Sequence, residues 1–167
     1  MFNNCKWLPA TIPMNRNETS VDYLSRLYTV FVNDFNLSHP QFLGKDVIYD
    51  TNLPLVNGRE EAFYHLTTVD DHSTYIQHRE IDYARSERLP WIRKVIENYK
   101  CADGCCDGIK VWKNKRRIKI LFEKEKYFIV LQKHSKNFHL VTAFYINWPH
   151  ELEKLKKEYE CYKDVKI

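Results

Sequence analysis

The sequence predicts an α+β fold: a four-stranded antiparallel β-sheet in meander order, with N-terminal helices packed on it and a helix closing the chain. Three observations predict it. Residues 127–133 (YFIVLQK) and 138–146 (FHLVTAFYI) carry apolar side chains on both strand faces and are joined by the polar residues 134–137. That is the pattern of a hairpin covered on both sides. Residues 109–112 and 116–123 read as two further strands joined to the hairpin by short connections, and consecutive strands with short connections pair antiparallel. Finally, Leu24, Leu27, Tyr28, Phe31, Val32 and Phe35 recur at helical spacing, so residues 19–35 form one broad apolar stripe.

Taken in order, the first helix starts at a Thr19 or Ser20 cap and stops before His39-Pro40. Residues 46–49 form a short β-like piece, and Asn57-Gly58 is the strongest turn signal in the chain. Residues 59–67, which include His65, fit either a strand or a short helix, and residues 69–74 read as a polar loop. A helix is expected over residues 83–99, with Pro90 bending it or marking its true first turn. Its buried stripe is Leu89, Ile92, Ile96 and Tyr99. Arg85 and Arg88 lie at the N-terminal end of that stripe and need partners there, because an unpaired buried charge is costly. Asp82 or Glu87 would satisfy them structurally; a phosphate gripped bidentately is the other reading. In residues 116–123, Ile118, Ile120 and Phe122 face in while Arg117 and Lys119 face out. Asn147 caps the last helix, Pro149 sits in its first turn, and Leu152, Leu155, Tyr159 and Tyr162 form its stripe. Residues 1–57 read as a helical extension and residues 58–167 as the main unit, together one compact body.

With 167 residues, 44% hydrophobic and 14% aromatic, the chain can fill a core and is not a disordered segment. No apolar run approaches about 18 residues, so no membrane partner is expected. The N-terminal residues lack the apolar stretch of a signal peptide, which makes the cytoplasm the expected location. The net charge of +4 is unevenly spread: residues 108–140 hold 10 basic and 2 acidic side chains. A segregated basic sheet is a footprint for a phosphate backbone, RNA here, with His78, Lys110, Arg116, Arg117, Lys119 and Lys133 as the binding residues. The alternative is a lysine-rich solvated face that protects edges. Of the five cysteines, Cys101, Cys105 and Cys106 cluster without a second Cys or His pair at zinc-knuckle spacing. Reduced thiols in a loop are the expectation there, a structural zinc the lesser alternative, and no metal or cofactor is assigned.

P-loop, GxGxxG, GxSxG and HExxH patterns are absent from the sequence, as is any acidic cluster suited to two metals. Histidine, arginine, threonine and tyrosine around a basic sheet suit metal-independent RNA cleavage. In that reaction a base takes the 2′-hydroxyl proton, cations stabilise the phosphorane, and an acid protonates the leaving oxygen. For His65 alone, a hydrogen-bonded core role competes with that one.

The succession Gly58-Arg-Glu, Phe63-Tyr-His65-Leu, Arg79, Asp82-Tyr-Ala-Arg85, Arg88-Leu-Pro-Trp91-Ile, Tyr127-Phe-Ile-Val-Leu and Leu140-Val-Thr142-Ala-Phe-Tyr145, with a C-terminal Lys154-Leu-Lys-Lys-Glu-Tyr159 helix, resembles the barnase–EndoU–colicin–RelE class of RNase toxin domains. It looks closest to the phage and mobile-element branch, and the likeness covers roughly residues 58–159. The resemblance implies helices packed on a four-stranded antiparallel sheet that bears the catalytic face. It implies His65 as proton-transfer residue, Arg79, Arg85 and Arg88 as phosphate binders, and Thr142 and Tyr145 as hydroxyl donors. It also implies a toxin or phage-defence role, with an antitoxin or immunity protein as partner. Thr142 and Tyr145 lie on opposite faces of an ideal strand, so either a bulge intervenes or only one joins the site. A non-catalytic nucleic-acid-binding or protein-inhibitor module built on the same basic sheet is the alternative.

Overall fold

Thr19 begins the first helix by accepting the Asp22 backbone N–H at 3.1 Å on its hydroxyl, which satisfies one of the donors a helix start leaves open. In the computed structural model, which describes residues 5–70, 79–101 and 104–167, helix α1 runs over Ser20–Phe31. A π turn over Val32–Asn36 continues it. Tyr23, Leu27, Phe31 and Phe35 are fully buried, so the apolar stripe is the packed face, as the spacing predicts. A second short helix, α2, spans Glu61–Thr67. Its start is moored to α1 through Glu60, whose carboxylate accepts from the Tyr28 hydroxyl at 2.7 Å and the Asn36 amide at 2.8 Å. The Asn57-Gly58 turn just before it has positive φ at both residues, +50° and +75°, and closes the Val56–Arg59 bridge. Side chains with a Cβ tolerate that geometry poorly except for asparagine and aspartate.

The expected helix over residues 83–99 is two: α3, Tyr83–Ser86, and α4, Trp91–Glu97. Asp82 caps α3 by accepting the Arg85 N–H at 3.0 Å, and Pro90 is the capping residue of α4. Proline has no N–H to continue the first helix, so the chain restarts there. Leu89, Ile92 and Ile96 are buried as the stripe predicts.

The meander is present as β5 (Lys110–Asn114), β6 (Arg117–Phe122), β7 (Tyr127–Lys133) and β8 (Phe138–Tyr145), each antiparallel to the next. The sheet is larger than the expected four-stranded antiparallel one. β2 (Lys45–Ile48) pairs parallel with β8, and β1 (Gln41–Phe42) pairs antiparallel with β2. The result is a mixed six-stranded sheet, ordered β1-β2-β8-β7-β6-β5, that curls as a half-barrel. The four-stranded expectation fails because β1 and β2 are too short to show alternation, and a parallel partner is reached only through a long crossover. A separate ribbon pairs β3 (Thr68–Asp70) with β4 (Arg79–Ile81).

Both faces of the sheet are covered. Ile118, Ile120, Phe122, Ile129, Leu131 and Ala143 pack beneath α1–α4. Trp112, Leu121, Phe128, Val130 and Ile146 pack beneath the closing helix α5, Pro149–Tyr162, through its Leu152, Leu155, Tyr159 and Tyr162. That helix is capped at Trp148, one residue later than expected. Its Glu158 reaches down to the sheet and accepts from Trp112 Nε1 at 3.3 Å, Asn114 Nδ2 at 3.0 Å and Lys119 Nζ at 2.5 Å. Burial opposes the charge on Glu158, but these donors outweigh it and hold the carboxyl below its usual range.

Candidate functional site

Strand β8 departs from ideal pairing at one place, and the histidine sits against it. Val130 pairs with Thr142 while Leu131 pairs with Leu140, so Val141 is an extra residue, a β-bulge. A bulge leaves its backbone groups outside the ladder. The His65 side chain, on the last turn of α2, hydrogen-bonds to the Val141 backbone. His65 shares a small pocket of about 100 Å³ with Asp50, Glu61, Leu140 and Val141. Burial lowers its pKa below the ordinary histidine value, and the nearby Arg85 and Arg79 guanidinium groups push the same way. Near neutral pH the imidazole is therefore uncharged and able to accept a proton.

Arg85 and Arg79 flank that histidine. Arg85 donates from Nη1 to the His65 carbonyl oxygen at 2.8 Å. Its Nε lies 3.7 Å from Asp82 Oδ2, an ion pair too long to be a hydrogen bond, and that buried Nε has no hydrogen-bond partner. Arg79 donates from Nε to Thr68 Oγ1 at 2.8 Å and faces Glu61 at 3.6 Å. It also lines a groove of about 610 Å³ between α1, the Val56–Arg59 turn and α2. Arg88 likewise has a buried Nε without a hydrogen-bond partner. Its Nη1 donates to the Ala84 carbonyl at 2.8 Å and to Glu87 at 2.6 Å, and its guanidinium lies 4.3 Å from the Tyr145 ring centre and 5.2 Å from that of Trp91.

Of the residues implied by the resemblance, His65, Arg79 and Arg85 thus come together, with Arg88 and Tyr145 stacked beside them. Thr142 does not join them. The bulge precedes Thr142, so it leaves Thr142 and Tyr145 on opposite faces; directly paired residues share a face. Thr142 lies with Val130, on the α5 side. His78 lies outside the described residues.

The basic footprint is also divided. Lys110 pairs with Glu123 at 2.6 Å and Lys119 with Glu158 at 2.5 Å, so these two charges are neutralised on the α5 side. Arg116 and Arg117 remain exposed at the β5–β6 turn. Lys133 lies beside them, its N–H donating to the Arg116 carbonyl at 2.8 Å. At the same end of the sheet His134 and His139 stack with ring centres 4.0 Å apart. A groove of about 440 Å³ runs past both histidines to Asp50 and Val141, and so adjoins the His65 pocket. Sequence reasoning missed Asp50, Glu61 and His139. The i, i+4 spacing of Glu61 and His65 would have exposed one of them once residues 59–67 were read as a helix.

A pH dependence follows. The His65 pKa is lowered in the fold, so the unfolded chain binds its proton first, near pH 6.5. The stability contribution is intact above about pH 6.5 and is lost as pH falls below it toward the depressed folded value. His139, also lowered by burial and by His134, acts with the same sign. Urea unfolding should show stability falling as pH drops below about 6.5. The slope should be shallower in His65→Gln; an unchanged slope would contradict this account of His65.

Comparison with protein-family models, with curated proteins and with solved structures gives no match to this chain. Among the described residues, no helix is long and apolar enough to cross a membrane.

Proposed function

We propose that this chain is a metal-independent endoribonuclease acting in the cytoplasm as a toxin or phage-defence effector, restrained by an antitoxin or immunity protein. The observation that carries the reading is the meeting of an uncharged, half-buried His65 with Arg79 and Arg85 at the β8 bulge. His65 removes the proton of a ribose 2′-hydroxyl, which attacks the adjacent phosphorus; the P–O5′ bond breaks, and the departing 5′-oxygen takes up a proton as the 2′,3′-cyclic phosphate forms. The guanidinium groups of Arg79 and Arg85, each partly open to solvent, hold the phosphorane oxygens as negative charge grows. The groove past His134 and His139 would lead the strand from Arg116, Arg117 and Lys133 toward the pocket. The direct test is incubation of the purified chain with RNA in EDTA, followed by analysis of product ends. Cleavage leaving 2′,3′-cyclic phosphate supports the reading, and intact RNA beside a chain that circular dichroism shows to be folded removes it.

The exposed Arg116 and Arg117 favour a second reading, a non-catalytic RNA-binding module. It expects salt-dependent binding without turnover, with the loss spread over Arg116, Arg117 and Lys133.

A further inference from the structure

The cysteine loop has the partner that its spacing lacked. Cys5 comes from the N-terminal segment and sits with Cys101, Cys105 and Cys106 so that all four sulfur atoms lie within 4.8 Å of one another. We propose that these four residues form a tetrathiolate site for a structural zinc ion. Four sulfurs at about 2.3 Å from a tetrahedral zinc are about 3.8 Å apart; here Cys101 and Cys105 are 3.6 Å apart, while Cys5 and Cys105, at 2.8 Å, would separate by about 1 Å to admit the ion. The loop turns through Gly104 and Gly108 at φ of +70° and +83°, conformations that few other residues adopt. Polar groups already face the sulfurs, as they do around zinc thiolates. Trp7 Nε1 donates to Cys101 Sγ at 3.2 Å, and the Gly108 backbone hydrogen-bonds to Cys106. Lys124 Nζ, 2.6 Å from the Cys105 carbonyl, places a positive charge beside what would be a doubly negative centre. Packing alone does not need four thiols from two segments about a hundred residues apart. On binding, each S–H gives its proton to solvent as its Zn–S bond forms, and the ion ties the N-terminal segment to the end of α4 and the start of β5.

This site stands apart from the ribonuclease reading, and its readout is metal content rather than activity. The full chain, purified under reducing conditions without chelator, should hold about one zinc per molecule by mass spectrometry. After the zinc is removed, cobalt(II) should give the visible bands and thiolate charge-transfer absorption of a tetrahedral tetrathiolate, which zinc then displaces. Cys5→Ser should lose that spectrum and unfold at lower temperature, whereas Cys161→Ser, at an exposed position, should keep both. A chain with negligible zinc whose cobalt absorption stays that of the hydrated ion overturns the proposal, as does a native disulfide joining Cys5 and Cys105. If Cys5→Ser does not fold, zinc protection of four thiols from alkylation in the wild type decides: protection supports the site and its absence overturns it. Circular dichroism during the EDTA cleavage assay separates loss of fold from metal-dependent chemistry.

Discussion

His65→Gln is expected to lower the RNA cleavage rate by about 10²–10⁴-fold, the usual contribution of a positioned general base. Glutamine approximates the volume and keeps a donor for the Val141 backbone, so α2 should hold its place, while the side chain can no longer take a proton. The rate of the wild type should rise with pH through the depressed histidine pKa and level off near neutrality, since burial and the two arginines favour the uncharged ring. The glutamine variant should lose that limb of the profile. Single-turnover rates measured across pH check both statements. A variant that cleaves at the wild-type rate would leave His65 a core histidine.

Phe31→Ala is expected to have the largest effect on stability. Phe31 is fully buried, and its ring centre lies 5.3 Å from that of Phe35, 5.2 Å from Tyr49 and 5.6 Å from Phe63. It therefore joins α1, its π turn, the segment after β2 and helix α2. Removing a buried phenylalanine costs about 3–5 kcal/mol through lost apolar contact and the cavity left behind. That is comparable to the whole stability of a marginal domain, about 5–15 kcal/mol. Denaturant unfolding measures it. Because the same cluster positions α2, cleavage should fall along with stability; a loss below about 1 kcal/mol would show that the site collapses around the alanine.

Long, strongly periodic elements were legible from residue order. The α1 stripe, the β7–β8 hairpin with two apolar faces and the α5 stripe all depend on local spacing, and each occupies the place its pattern predicts. Features made by distant contacts were not legible. β1 and β2 offer six residues in all, too few for a period, and β8, the strand that β2 joins, lies far along the chain. The bulge at Val141 reflects how β7 and β8 settle their register under two different cores. Counting charges along residues 108–140 overstated the basic face, because Glu158 arrives from α5, outside that range, to meet Lys119. Cys5 could not be matched to Cys105 by spacing, since only folding brings them together. Of the site, His65, Arg79 and Arg85 were legible as residue types, and their meeting point was not.

The most direct test is a comparison of Arg85→Ala with Arg117→Ala in a single-turnover cleavage assay in chelator, at saturating RNA, with folding followed by circular dichroism. If the chemistry lies where α2 meets the β8 bulge, folded Arg85→Ala should lose at least about 10²-fold in rate. Arg117→Ala should keep the wild-type rate and lose only affinity, with its salt dependence reduced by about one phosphate contact. A folded Arg85→Ala that cleaves at full rate, beside an Arg117→Ala that does not, would place the chemistry at the other end of the sheet and contradict this account.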